Sequence, residues 1–567
     1  MSKKIINLSL SKLLSINWLI LSLIIVYPWL LIWQWLDITD TWFVLTNYNL
    51  IFSSPWDIIY SFPYYLTNIF WNIILHLFWD LWLLGIRIWW IINIYILLSI
   101  TFLLFRNIIN SKILLIGLLI WEIYANNIGW HMFNYNQLSA IFYLLSILLL
   151  YKWLTKNINK LIFLSWIIIT INIFIRLPNI LWILLISWIP FYYYLIWNKK
   201  QIINKSLLFI LWNIIWVILL LTFMKLLWHY NYYIDWLWII FDISKWWHHS
   251  TDSLINLFIK DNIYSIILSL ILLIFLFIYK KFLWIINNNY KIYTIIVFWI
   301  IWWILLNMID VSRWLMLWLT YLSFIYIIVY EKNNNIKLLV FLTTLFLILI
   351  PLWSWNWVYN IKHWIYPLIL ILIYIIRINQ LNSFYKHIWK YWITTLLINI
   401  LFYSLIYVYN NTYRDWKKVN LTYLVNNNKI WYIYTTKERS KILEETIIEL
   451  NKYVKKDNYL LAYGWLSLFY YITDTKPYLY NSRPSLYNEY HMKYFLEKAI
   501  KEKNKLPVII INKYDTDTKY WPQTLSTKKY NNNEQLKNRA IINWFIINNN
   551  YKKVWWNEIF DILIPKN

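Results

Sequence analysis

Between residues 13 and 409 the chain returns repeatedly to apolar runs of a length suited to the hydrocarbon of a bilayer. A helix needs about 20 apolar residues to cross that layer. Residues 13–33, 83–105, 207–228 and 392–409 reach or approach this length. Shorter runs lie at 113–124, 138–151, 161–175, 180–197, 263–279, 293–308, 315–330, 338–352 and 365–376. Residues 64–78 are interrupted by Asn68, Asn72 and His76, and read as a helix lying at the membrane interface. The pattern predicts an α-helical polytopic membrane protein of about thirteen transmembrane helices over residues 1–410. A chain that is 61% hydrophobic and 14% charged, with mean hydropathy +0.49, fits no soluble globular class.

The net charge of +26 would suggest nucleic acid in a soluble protein. Here the basic residues sort by connection instead. Arg106 and Lys112, Lys152 to Lys160, Lys199 to Lys205, Lys280-Lys281, Lys332 and Lys337, and Arg377 to Lys390 fall in alternate connections. The positive-inside rule then puts those connections and the N-terminus in the cytoplasm of a cell (plasma or inner) membrane. Residues 1–12 are basic and run into the first apolar segment without a small-residue cleavage site, which reads as a retained signal anchor. No nucleic-acid partner is expected. Cysteine is absent, which excludes disulfides, thiolate metal sites and a cysteine nucleophile.

An odd number of spans places residues 411–567 outside, as an extracytoplasmic domain. Polar residues return there. Residues 429–435, 459–463 and 507–511 read as strands and 487–503 as a helix, with Gly464 ending the second strand. Thr435-Thr-Lys-Glu438 has the spacing of a capping box opening a further helix. This alternation predicts a C-terminal α/β domain. No glycine-rich nucleotide fingerprint is present.

Glycine itself is nearly missing: 4 residues of 567, against a usual share of about 7%. Tryptophan numbers 44 and stands where glycine belongs, as in Pro55-Trp56-Asp57, Trp89-Trp90, Trp246-Trp247 and Trp353-Ser-Trp-Asn-Trp357. The two types together make up an ordinary glycine complement plus a few tryptophans. The composition points to a UGA codon that means glycine in the source organism and is written here as tryptophan. No single tryptophan therefore carries functional weight below.

The chemistry centres on residues 36–43, Leu-Asp-Ile-Thr-Asp-Thr-Trp-Phe, just after the first span. Asp37 and Asp40 are three apart and would share one face of a helical turn. Carboxylates at that depth are costly unless they pair, bind a cation or do chemistry. The plainer alternative is a helix cap, with Asp40 or Thr41 as the capping residue. The other polar residues of the membrane half gather on the same side: Asp57, Glu122, Arg176, Lys245, His248, His249, Asp252, Asp310, Arg313, Lys362 and His363. Carboxylates that take a proton, beside cations that hold an anion, suit a reaction on a lipid-linked phosphate. Plainer roles exist for the candidates too. Arg313 and Lys362 also fit snorkelling to headgroups. His248 and His249 are adjacent, not at the i, i+4 spacing of a helical metal pair, and fit a solvated loop. Arg176, before Pro178, also fits the end of a span.

A first span, an early acidic motif, an interfacial segment, many further spans and a terminal outer domain together resemble the GT-C glycosyltransferases. The protein-mannosyltransferase and aminoarabinose-transferase type is the most similar. Residues 37–43, 133–140 (Phe-Asn-Tyr-Asn-Gln-Leu-Ser-Ala) and 175–179 (Ile-Arg-Leu-Pro-Asn) carry the likeness. It covers the membrane half in layout and patchily in motif. The resemblance implies an inverting transferase that moves a sugar from a polyprenyl-phosphate carrier to an envelope glycan, lipid or protein acceptor on the outer face. Asp40 matches the family's catalytic acid, with Asp37 as second candidate. Arg176, Lys245, His248, His249, Arg313 and Lys362 are the substrate-binding candidates. The family often has Glu after the Asp where this chain has Thr41; that departure counts against a divalent cation without excluding one, and no other cofactor is implied. The alternative function is a transporter or flippase of lipid-linked sugars, which would show related halves and charges near the bilayer midplane.

Overall fold

In the computed structural model the described residues are 16–77, 82–125, 131–156, 160–246, 290–307, 309–349, 366–376, 383–514, 516, 521–522 and 533–566, with single positions between 256 and 274. The membrane half is helical. It comprises α1 (Ile16–Leu31), α2 (Asp40–Leu50), α3 (Tyr65–Leu77), α4 (Trp82–Phe105), α5 (Ser111–Ala125), α6 (Tyr135–Lys156), α7 (Lys160–Ile175) and α8 (Leu177–Leu195). It continues with α9 (Gln201–Leu226), α10 (Tyr230–Trp246), α11 (Tyr290–Asn307), α12 (Ile309–Tyr330), α13 (Asn334–Leu349), α14 (Tyr366–Ile375) and α15 (Ser383–Asn410).

Four helices among the described residues are long and apolar enough to cross a membrane: Trp82–Phe105, Leu177–Leu195, Ile202–Leu226 and Lys390–Asn410. Others, such as Leu161–Ile175 and Asn334–Leu349, are apolar but shorter. Among the described residues the expected spans thus separate into full-length and shorter helices, while most of the expected span 263–279 lies outside them. Only 17% of the Ile202–Leu226 stretch is buried, leaving Leu207, Leu211, Ile218 and Leu226 outward. An apolar surface that continuous suits hydrocarbon rather than water.

Polar side chains inside the helical half pair with one another. Asn179 donates to Ser139 Oγ (2.8 Å) and Asn172 Oδ1 (3.0 Å), while Asn172 donates to the Ser139 carbonyl (3.1 Å). These bonds fasten the turn between α7 and α8 to the start of α6. The segment expected at the interface is α3. Its Asn72 and Asn68 are buried, donating to the carbonyls of Tyr48 (2.7 Å) and Ser61 (3.1 Å). Phe70, Ile73 and Leu77 of α3 face outward.

Beyond Asn410 lie a short pair, β1 (Tyr423–Leu424) with β2 (Tyr434–Thr435), and a five-stranded sheet. The sheet strands are β3 (Tyr459–Tyr463), β4 (Lys476–Pro477), β5 (Val508–Asn512), β6 (Tyr551–Trp556) and β7 (Phe560–Pro565), in the order β4-β3-β5-β7-β6. β4, β3 and β5 run parallel; β7 and β6 are antiparallel to their neighbours. Helices α16 (Lys437–Tyr453), α17 (Leu468–Ile472), α18 (Glu489–Glu502) and α19 (Asn533–Asn548) accompany them. Alternation along β5 splits the core between two faces. Ile509 and Ile511 pack with Phe495 of α18 and Phe545 of α19. Ile510 joins a second cluster with Leu443 and Leu450 of α16, and with Leu36, Val44 and Leu45 of the first loop and α2. This second core joins the membrane half to the C-terminal region.

Gly464 closes β3 with φ of +110°, and a Cβ there would run into the Asn512 side chain. The expected strand 429–435 shrinks to Tyr434–Thr435, because residues 428–430 form a 3-10 turn. The helix cap lies one residue later than the capping-box spacing suggested. Thr436 caps α16 through the Arg439 amide (3.3 Å), because the Thr435 hydroxyl donates to Asp415 (2.9 Å).

Ten non-glycine residues among those described have positive φ, and four are tryptophans: Trp35 (72°), Trp82 (40°), Trp197 (57°) and Trp228 (62°). Bulky side chains rarely adopt this region, whereas glycine enters it freely. The indole nitrogens of Trp71, Trp166, Trp182, Trp188 and Trp236 are buried without a hydrogen-bond partner among the described residues. Buried indoles usually find one. Both observations agree with glycine at such positions in the natural protein. Peptide mass spectrometry of protein purified from its source should read glycine at 35, 82, 197 and 228. Tryptophan at all four would refute the reassignment.

Candidate active site

The loop after α1 is built around Asp37. Its carboxylate accepts from the Thr39 amide (2.9 Å), the Thr39 hydroxyl (2.6 Å) and the Thr41 amide (2.8 Å). Asp37 therefore does the capping expected of Asp40 or Thr41, satisfying free amides at the start of α2. It precedes the helix that Asp40 begins, so the two acids do not share a helical face. Every described hydrogen bond to the Asp37 carboxylate serves the turn.

Asp40 is turned the other way, toward the C-terminal region. Arg414 Nη2 lies 2.9 Å from Oδ2, Arg483 Nη1 donates to Oδ1, and the Tyr413 hydroxyl donates to Oδ2. Burial would raise the pKa of Asp40, but the Arg483 and Arg414 guanidiniums and the Tyr413 bond outweigh it and hold the carboxyl below its usual range. Burial and the Asp40 charge push the Tyr413 phenol well above its own, so it remains a donor. Fourteen per cent of the Asp40 side chain is exposed, enough for a small group to approach.

Buried contacts between the first loop and the C-terminal region hold this arrangement. Asp415 accepts from the Leu36 amide (2.7 Å) and pairs with Arg439 (3.0 Å), both side chains fully buried. Arg439 in turn donates to the carbonyls of Leu36 (3.1 Å) and Arg414 (2.9 Å). The backbone of Tyr434 bonds on either side to residues 33 and 35. The Leu468 amide donates to the Ile38 carbonyl (3.1 Å). Farther along, Lys503 donates to Asp57 (2.7 Å) and to the carbonyls of Pro477 and Tyr478. Burial lowers the Lys503 pKa to about 8 against the pull of Asp57.

Tyr64 and Tyr135 stack with ring centres 4.0 Å apart. The Arg176 guanidinium carbon lies 5.5 Å from the centre of the Tyr135 ring. Of the remaining candidates, Lys245 lies on α10 and Arg313 on α12, with side chains outside the described set, and His248, His249 and Lys362 are outside it altogether. Of the expected group, Asp40 and Arg176 lie among the described side chains, and the Tyr135 phenol is within electrostatic reach of each. Tyr413, Arg414 and Arg483 were not anticipated. Tyr413-Arg-Asp415 follows the last span directly, which was a usable signal, whereas Arg483 stands in a loop without one.

An ionised carboxylate among two guanidiniums and a phenol can accept a proton while the cations attract an anion. The same donor set does not suit a divalent cation, which two guanidiniums would repel. Comparisons with protein-family models and with curated proteins find no match for this chain.

Proposed function

We propose that the chain is an inverting glycosyltransferase that uses a polyprenyl-phosphate sugar, with Asp40 as the proton acceptor. The observation that carries this reading is the partly exposed Asp40 carboxylate, held ionised by Arg414 and Arg483 where the first loop meets the C-terminal region. The acceptor hydroxyl or amine gives its proton to Asp40 as it attacks the anomeric carbon. The glycosidic C–O bond breaks, its electron pair stays on the phosphate oxygen, and polyprenyl phosphate departs as an anion. Cations near the reacting centre stabilise that developing charge.

Transport of a lipid-linked sugar draws on a separate observation. Glu122 in α5 is fully buried, with neither carboxylate oxygen hydrogen-bonded among the described residues. Buried carboxylates within spans often mark transport or proton paths. The two readings separate in vesicles containing the full chain and a short-chain polyprenyl-phosphate sugar. Glycosyl transfer predicts sugar on the acceptor and an equal amount of free polyprenyl phosphate. Intact donor crossing the bilayer with no cleavage would overturn it.

A further inference from the structure

Arg176 is 7% exposed, and its guanidinium has no hydrogen-bond or ion-pair partner among the described residues; its Nε is fully buried and unsatisfied. A buried, uncompensated cation is costly, so its position calls for a reason. The cost is not relieved by mobility. The Arg176 amide bonds to Asn172 and its carbonyl accepts from Asn179, both members of the Ser139 network. Nearby side chains are aromatic: Tyr135 under the guanidinium, with Tyr64 stacked upon it. The Tyr135 phenol, whose ring the Arg176 guanidinium faces, is also within electrostatic reach of Asp40. Arg414 and Arg483 are engaged with Asp40, whereas Arg176 has its donors to give.

We propose that Arg176, with Tyr135 and Tyr64, seats the phosphate of a phosphate-bearing lipid beside Asp40. This assignment rests on the reading of the site as a glycosyltransferase centre and gives its donor an orientation, with phosphate at Arg176 and the anomeric carbon toward Asp40. Guanidinium geometry matches a phosphate through paired N–H donors. The donor phosphodiester carries one negative charge and the departing phosphomonoester up to two. Arg176 therefore binds the leaving group more strongly as the bond breaks, which is the kind of contact that accelerates a reaction.

The test uses the full chain in phosphatidylcholine nanodiscs with geranylgeranyl phosphate as probe. Wild type should bind it, geranylgeraniol should not compete, and Arg176→Gln should weaken binding at least tenfold, with Arg176→Lys in between. Unchanged binding in Arg176→Gln overturns the proposal. So does equal competition by inorganic phosphate, which would mark a free-anion site, or by phosphatidylglycerol, which would mark a general headgroup contact. Should Arg176→Gln fail to fold, wild type decides: geranylgeranyl phosphate must protect Arg176 from phenylglyoxal, read by peptide mass spectrometry. Absence of protection also overturns it. Asp40→Asn should lose transfer yet keep probe binding. Phosphate binding at Arg176 without any wild-type transfer would sink the transferase reading alone. Normal transfer with unchanged binding in Arg176→Gln would sink this one alone.

Discussion

Asp40→Asn is expected to lower glycosyl transfer by roughly 10²–10⁴, the usual cost of losing a positioned general base. The amide keeps the size of the carboxylate and can still accept from Tyr413, but it has neither the charge nor the basicity. Arg414 and Arg483 then face each other without a counter-charge, and their 20% and 12% side-chain exposure lets water relieve part of the repulsion. The variant should therefore fold. Asp37→Asn offers the contrast, because its carboxylate caps α2 through the Thr39 and Thr41 amides. An amide has one acceptor oxygen where the cap uses two, so about 1 kcal/mol of stability should go while turnover largely remains. Because the folded pKa of Asp40 is depressed, its ion pairs contribute fully above the unfolded value near ~3.9 and are lost only as pH falls through the folded one. The acid limb of turnover should accordingly lie below about pH 4. The measurement is transfer by equally expressed, purified variants across pH. Wild-type turnover in Asp40→Asn would remove the site; a dead Asp37→Asn beside an active Asp40→Asn would move it three residues upstream.

What could be read in the sequence follows from how local each signal is. Apolar runs report avoidance of water directly, so the helical half was legible, although among the described residues only four helices have the length and apolarity of a full span. Strands β3 and β5 announced themselves as short apolar segments, one ended by Gly464. The β6–β7 hairpin did not, because Lys552, Lys553 and Asp561 interrupt its alternation. Asp40 stood out as a carboxylate beside an apolar span. Its partners Arg414 and Arg483 lie more than 370 and 440 residues away, and nothing local says that they meet it. The bonds of Asp37 are local, yet its side chain was equally hard to read. A cap and a catalytic acid look alike in sequence, and only the hydrogen bonds to Thr39 and Thr41 tell them apart. The domain division at residue 410 reflects composition, whereas the core around Leu36, Val44, Ile510 and Leu443 crosses it.

That crossing makes the fully buried Asp415–Arg439 pair a sensitive structural point. Removing one member, as in Asp415→Ala, is expected to cost roughly 3–5 kcal/mol, because it leaves a fully buried charge unpaired. Leu36 loses an acceptor for its amide, Thr435 loses one for its hydroxyl, and Arg439 loses its carboxylate while keeping the carbonyls of Leu36 and Arg414. The loop bearing Asp40 is held to the C-terminal region by these same bonds, so activity should fall along with stability. A double replacement, Asp415→Leu with Arg439→Met, separates the two effects. Apolar substitution of a buried ion pair often restores stability. It cannot rebuild the bonds to both the amide and the carbonyl of Leu36, so the double variant should regain much of its unfolding temperature and little of its turnover. Hydrogen exchange at the Leu36 amide reports the loop directly and should quicken in both variants. If Asp415→Ala lies within about 1 kcal/mol of wild type, a loss typical of ordinary substitutions, the pair does not anchor the site. Full turnover in the double variant would show that Asp40 holds its geometry through Arg414 and Arg483 alone.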